Sequence, residues 1–179
     1  MITAIQKNNL SWFRGKRLRT KVTNVIFAGL GGQGVIKASD ILAEAAFLSG
    51  FDVKKTEIHG MSQRGGSVNS DVRYGQKVLS PMIPDGEADY LVLLAEGELE
   101  SNRPRLKEGG VSVLPSSIPK EALYNKKTLN ISLLGILSGY LEFEEQAWIE
   151  AIRNNLPVKA HDLNLKAFRA AKEALSAST

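Results

Sequence analysis

The feature that most constrains this chain is a cluster of glycines set between an apolar strand and an amphipathic helix. Val25-Ile26-Phe27-Ala28 is a short run rich in β-formers, and Gly29-Leu30-Gly31-Gly32-Gln33-Gly34 follows it directly. Val35, Ala38, Ile41, Leu42, Ala45 and Leu48 then recur at helical spacing, with Lys37, Asp40 and Glu44 on the other face and Gly50 as a stop. Strand, tight turn and helix are therefore predicted in that order. Gly29, Gly31 and Gly34 satisfy G-x-G-x-x-G. In this context the pattern is a dinucleotide fingerprint, because glycines let a phosphate approach the backbone at a helix N-terminus. The same glycines would also serve a turn that only packs helix against strand. The acidic residue that should close the second strand and hold a ribose, about 20 residues on, is not in place. Asp52 starts that strand, Lys54 and Lys55 fill its middle, and Glu57 comes late.

Further along, Asp52 to Glu57 reads as the second strand, and Ile58 to Gly66 as a glycine-flanked loop. Ser67 to Tyr74 alternates, and Gly75-Gln76 reads as a hairpin turn into Val78-Leu79-Ser80. Tyr90 to Ala95 is a continuous apolar run, as expected of a parallel strand buried on both faces. A short acidic helix ending near Pro104 and Gly109-Gly110, a strand at Val111 to Leu114 and a last strand at Thr128 to Ser132 come next. Leu133 to Tyr140, Glu144 to Leu156 and Asp162 to Ser176 read as helices. Strands alternating with helices predict an α/β domain: a Rossmann-like three-layer fold with a mostly parallel sheet and a small antiparallel insertion at Ser67 to Ser80.

Composition narrows the function. At 179 residues, one domain spanning 22–179 is expected after a basic N-terminal extension, 1–21. That extension holds Lys7, Arg14, Lys16, Arg17, Arg19 and Lys21 and no acid, against a whole-chain charge of +4. The remainder therefore carries −2, which gives no reason to expect a nucleic-acid face. The arm reads as a poorly ordered extension, with a transit peptide, an early start and a partner-binding arm as alternatives. No apolar run approaches the roughly 18 residues of a membrane span, and a cytoplasmic location is expected. The chain has no cysteine, so it holds no disulfide, cysteine-ligated zinc or cysteine-held iron–sulfur cluster. Two histidines, His59 and His161, are far apart in sequence and form no triad or metal set; no catalytic residue is assigned. His59 is a hydrogen-bonded loop histidine, or else a ligand or base, and His161 sits at a helix entrance. Arg64 either clamps an anion or pairs with a carboxylate or a carbonyl. Lys54 and Lys55 read as a solvated strand edge.

Taken together, certain segments form a recognisable set. They are Gly29 to Gly34, Arg64-Gly65-Gly66-Ser67-Val68, Val72-Arg73, Ser80-Pro81, Asp89, and Asn164-Leu165-Lys166-Ala167-Phe168. The set resembles the gamma subunit of 2-oxoacid:ferredoxin oxidoreductases, the pyruvate/ketoisovalerate oxidoreductase gamma-type domain, over roughly residues 22 to 172. His59-Gly60-Met61-Ser62-Gln63-Arg64-Gly65-Gly66 is especially similar to the small (beta) subunit of indolepyruvate oxidoreductase. The resemblance implies one part of an enzyme that decarboxylates a 2-oxoacid on thiamine diphosphate. Electrons would pass through iron–sulfur clusters to ferredoxin, and the acyl group to coenzyme A. With no Gly-Asp-Gly motif and no cysteine in this chain, thiamine and clusters are expected on larger partner subunits. A free-standing nucleotide-binding or NAD-dependent module is the alternative, and a purely structural assembly subunit a third. The chain alone is expected to be inactive and colourless, and to self-associate or expose a large apolar patch. The loops expected to face ligand or partner are Gly29, Gly31, Gly32, Gln33 and Gly34, and His59, Ser62, Gln63, Arg64, Gly65 and Gly66. As both follow strands taken to be parallel neighbours, they should meet at the carboxyl edge of the sheet.

Overall fold

A computed structural model describes residues 22–59, 66–120 and 125–178. The basic arm therefore lies outside the described residues. Five strands, β1 (Thr23–Leu30), β2 (Asp52–His59), β3 (Ser67–Gly75), β4 (Ala88–Leu93) and β5 (Leu106–Val113), form one sheet in the order β2-β3-β1-β4-β5. β3 is antiparallel to both β1 and β2, and β4 and β5 run parallel to β1. Four of the five strands thus point the same way, and the one reversed strand lies inside the sheet.

That placement revises the expected hairpin. β3 finds its partners on both sides, in β1 and β2, and residues 77–80 are not a strand. They are held by side chains instead. The Asp52 carboxylate accepts the Val78 N–H at 2.7 Å, and the Arg73 guanidinium donates to the carbonyls of Ser80 and Met82 at 3.0 and 2.8 Å. The Val78 N–H also holds the Asp52 carboxyl below the usual carboxylate range. A lowered value means that this tie is intact above the ordinary carboxylate pKa and is lost as pH falls below it.

The helices are α1 (Val35–Leu48), α2 (Leu99–Asn102), α3 (Leu129–Ser138), α4 (Glu145–Asn155) and α5 (His161–Ser178). The strand expected at Thr128 to Ser132 is the start of α3. Nearly every residue of α3 is buried, and a helix apolar all round carries no amphipathic period to tell it from a buried strand. Gly109 and Gly110 fall inside β5, which starts earlier than expected. α1, α3, α4 and α5 share one core cluster with Val25, Phe27, Val72, Val92 and Val113 of the sheet, α4 packing on α1 and α5 on α3. The polar side of α1 also makes contacts: Glu44 accepts from the side-chain amides of Asn154 and Asn155 on α4. Among the described residues, the opposite face of the sheet, with Ile26, Ala28, Leu91 and Leu93, is covered by the short α2 and by coil carrying Ile83. The third layer of the fold is therefore thin.

Candidate functional site at the carboxyl edge of the sheet

Three strand ends share one row. His59 lies opposite Val68, and Val68 opposite Gly29; one step further out, Leu30 lies opposite Ser67. Beyond the last paired residues, the Gly31 N–H donates to the Gly66 carbonyl at 3.0 Å. The glycine turn and the end of the second loop therefore meet, as expected, but not for the reason expected. β1 and β2 are not neighbours; β3 lies between them and, by reversing direction, returns both ends to one edge. Gly29, Gly31, Gly32, Gln33, Gly34, Gly66 and the His59 backbone are thus brought to this edge. Ser62, Gln63, Arg64, Gly65 and the His59 side chain lie outside what is described. His161, the first residue of α5, is remote; its Nε2–H faces the carbonyls of Arg153 and Leu156.

The turn has a definite internal structure. The Gln33 N–H donates to the Leu30 carbonyl at 3.1 Å, and the Gln33 Oε1 accepts the Leu30 N–H at 2.7 Å. Gly34, at φ 85°, caps α1 in the left-handed region that favours glycine. Gly29 is required for close approach. A Cβ there would stand 2.9 Å from Gln33 Oε1, Leu94 Cβ and Val35 Cγ2, so the helix could not pack this tightly on the strand. From α3, the Asn130 Nδ2 reaches the Gly34 carbonyl at 3.4 Å.

A cavity of about 500 Å³ opens beside this turn, walled by Leu30, Val35, Ile36 and Val68 with Lys37 and Asp40 at its side. The first turn of α1 has no acidic residue and no side-chain cap, so its N–H groups favour negative charge. Asp40 is committed to Lys55, which also holds Glu57 at 2.7 Å. Lys55 is thus part of an ion-paired triad rather than a solvated edge. On the far side of the turn, the Ser67 hydroxyl donates to Glu98 Oε2 at 2.7 Å. A second groove, between α4 and α5, is lined by Glu145, Arg169 and Lys172, which pair with one another and lie away from the sheet edge.

This geometry is poor for NAD. In a dinucleotide fold the strand beside β1 runs parallel to it and ends in the ribose-binding acid. Here that position belongs to antiparallel β3, and Glu57 is tied to Lys55 inside β2. Sequence reasoning missed Lys37, Asn130, Ser67 and Glu98. Glu98 carried the one available signal, an acid just beyond a buried strand and so at a carboxyl edge. Among the described residues no group of three or more histidines and acids can hold a metal ion, and no helix is long and apolar enough to cross a membrane.

A family model described as pyruvate ferredoxin/flavodoxin oxidoreductase matches residues 24–174. The chain is 34% identical to Indolepyruvate oxidoreductase subunit IorB of Methanothermobacter thermautotrophicus, over 82% of this chain and 94% of that one. It is 35% identical to the Pyruvate/ketoisovalerate oxidoreductases common subunit gamma of Thermococcus litoralis, over 56% of this chain and 55% of that one. Among solved structures, the keto/oxoacid ferredoxin oxidoreductase gamma subunit of Geobacter sulfurreducens matches with a TM-score of 0.73 and 27% identity. That match covers 87% of this chain and 99% of the other.

Proposed function

The chain belongs to the pyruvate ferredoxin/flavodoxin oxidoreductase family as a small, gamma-type subunit, and we propose that its carboxyl edge faces the thiamine diphosphate or coenzyme A site of a larger partner. The reaction we assign to the complex is oxidative decarboxylation of a 2-oxoacid, indolepyruvate above all, with ferredoxin as electron acceptor. Residues 22–179 act as one gamma-type domain, 1–21 as an extension, and the cytoplasm is the proposed compartment.

The chain's own residues do not suit the cofactors. It has no cysteine for a cluster and no metal-holding group among the described residues. Cluster and thiamine chemistry is therefore assigned to the partner subunits. What this chain supplies is surface: a glycine turn at a helix N-terminus, Lys37 beside it, and the returning loop that carries Ser62, Gln63 and Arg64. Leu30 and Ile58, 37% and 44% exposed, stand on the same sheet face beside this row and give a partner apolar area to cover.

The observation that carries the placement is the Gly31–Gly66 contact, which ties the Arg64-bearing loop to the anion-tolerant turn. In the reconstituted complex, Arg64→Ala should raise the coenzyme A KM or lower kcat by about 10- to 150-fold. That range corresponds to about 1.5–3 kcal/mol for a hydrogen bond to a charged group. The melting temperature of the isolated chain should stay within a degree or two. Unchanged kinetics would leave the purely structural subunit as the better reading.

A further inference from the structure

Residues 31 to 34 read Gly-Gly-Gln-Gly, so Gln33 is the only residue of the turn with a side chain beyond hydrogen. That side chain folds back onto its own backbone. Its Oε1 accepts the Leu30 N–H at 2.7 Å, while the Gln33 N–H donates to the Leu30 carbonyl at 3.1 Å. Both polar backbone groups of Leu30 are thereby engaged by one residue. β1 stops at Leu30, and the next contact across to the β3 side is Gly31 N–H to Gly66 carbonyl. Gly29 completes the fit, because a Cβ at that position would stand 2.9 Å from Gln33 Oε1.

We propose that Gln33 is a positioning residue: by closing the 30–33 turn it aims the Gly31 N–H at Gly66 and so fixes where the second loop re-enters the sheet. It acts through Leu30, Gly31 and Gly66 and does not itself touch a ligand. The proposal rests on the reading that this edge faces the partner's active site. The chemistry is specific about which replacements work. A leucine cannot accept the Leu30 N–H. A glutamate has the same length and accepts it through a charged oxygen, which strengthens the bond.

The test uses the full chain, alone and in the reconstituted complex. In Gln33→Leu, the amides of Leu30 and Gly31 should exchange hydrogen at least tenfold faster, and the coenzyme A KM or kcat should worsen at least fivefold. The 2-oxoacid KM and the melting temperature should stay near those of the parent. Gln33→Glu should restore slow exchange at both amides. If Gln33→Leu keeps parental kinetics while Arg64→Ala does not, the positioning role is wrong and the reading of the edge stands. If neither variant moves the kinetics, both fall. Exchange at Leu30 and Gly31 as fast in Gln33→Glu as in Gln33→Leu overturns the positioning role.

Discussion

Arg105→Leu is expected to lower the unfolding free energy by about 3–5 kcal/mol, the usual cost of removing one partner of a buried ion pair. Asp71 sits in the middle of β3 on the thinly covered face and is only 1% exposed. Its Oδ2 accepts from Arg105 Nη2 at 2.7 Å and from the Ile83 N–H at 3.2 Å, while Oδ1 is buried with no partner among the described residues. Arg105 also donates to the Ile83 carbonyl. Without the guanidinium, a carboxylate stays buried with one backbone N–H for company. The contact between Arg105 and Asp85 adds little, because Asp85 is 87% exposed and such pairs contribute about 0–1 kcal/mol. Asp71→Asn in the Arg105→Leu background should recover part of the loss, since the stranded charge is gone. Urea unfolding followed by far-ultraviolet circular dichroism measures both. A loss below about 1 kcal/mol would contradict a buried pair of this kind. Arg105 and Glu98 tie the same segment to β3, at Asp71 and at Ser67 on the carboxyl edge.

Trp148→Ala should cost a similar amount, about 3–5 kcal/mol for deleting a fully buried tryptophan. Trp148 is 0% exposed. Its ring centroid lies 5.6 Å from those of Phe143 and Phe168, and Phe143 in turn meets Tyr74 and Phe51. This aromatic chain joins the start of β2, the end of β3, α4 and α5. The indole N–H is buried without a partner among the described residues, so Trp148→Phe forfeits no hydrogen bond to them and should cost clearly less than the alanine variant. Thermal melts of the two variants decide this, and equal losses would count against the packing explanation. Since α4 also holds α1 through Glu44, the alanine variant should weaken assembly with the larger subunits as well.

The strand–glycine turn–helix unit was legible because its signals are local: apolar runs, a 3.6-residue period, and glycines where the backbone needs them. Gly34 and Gly50 both adopt positive φ. What failed was non-local or featureless. β3 looked like one arm of a hairpin because its alternation fits any antiparallel partner. Its true partners were β1, more than forty residues earlier at most pairs, and β2. α3 was partly read as a strand because an apolar run buried on all sides has no period. At the site, the glycines announced themselves. Asn130 and Glu98 did not, because they reach Gly34 and Ser67 across 96 and 31 residues of sequence. Lys37 and Asp40 were read only as the polar face of α1, which the fold turns toward a cavity and toward β2. The family itself was readable from the combined motifs, since their order along the chain is more specific than any one of them.

The most direct test of the central claim is turnover with and without partners. The purified chain is assayed with indolepyruvate, coenzyme A, thiamine diphosphate and ferredoxin, alone and after co-expression with the larger thiamine-binding and iron–sulfur subunit from the same source. The chain alone should be colourless and inactive. The co-expressed complex should turn over and lose most of its activity when this chain is left out. Turnover of any 2-oxoacid by the chain alone, or a larger subunit fully active without it, would contradict its assignment as a working gamma-type subunit.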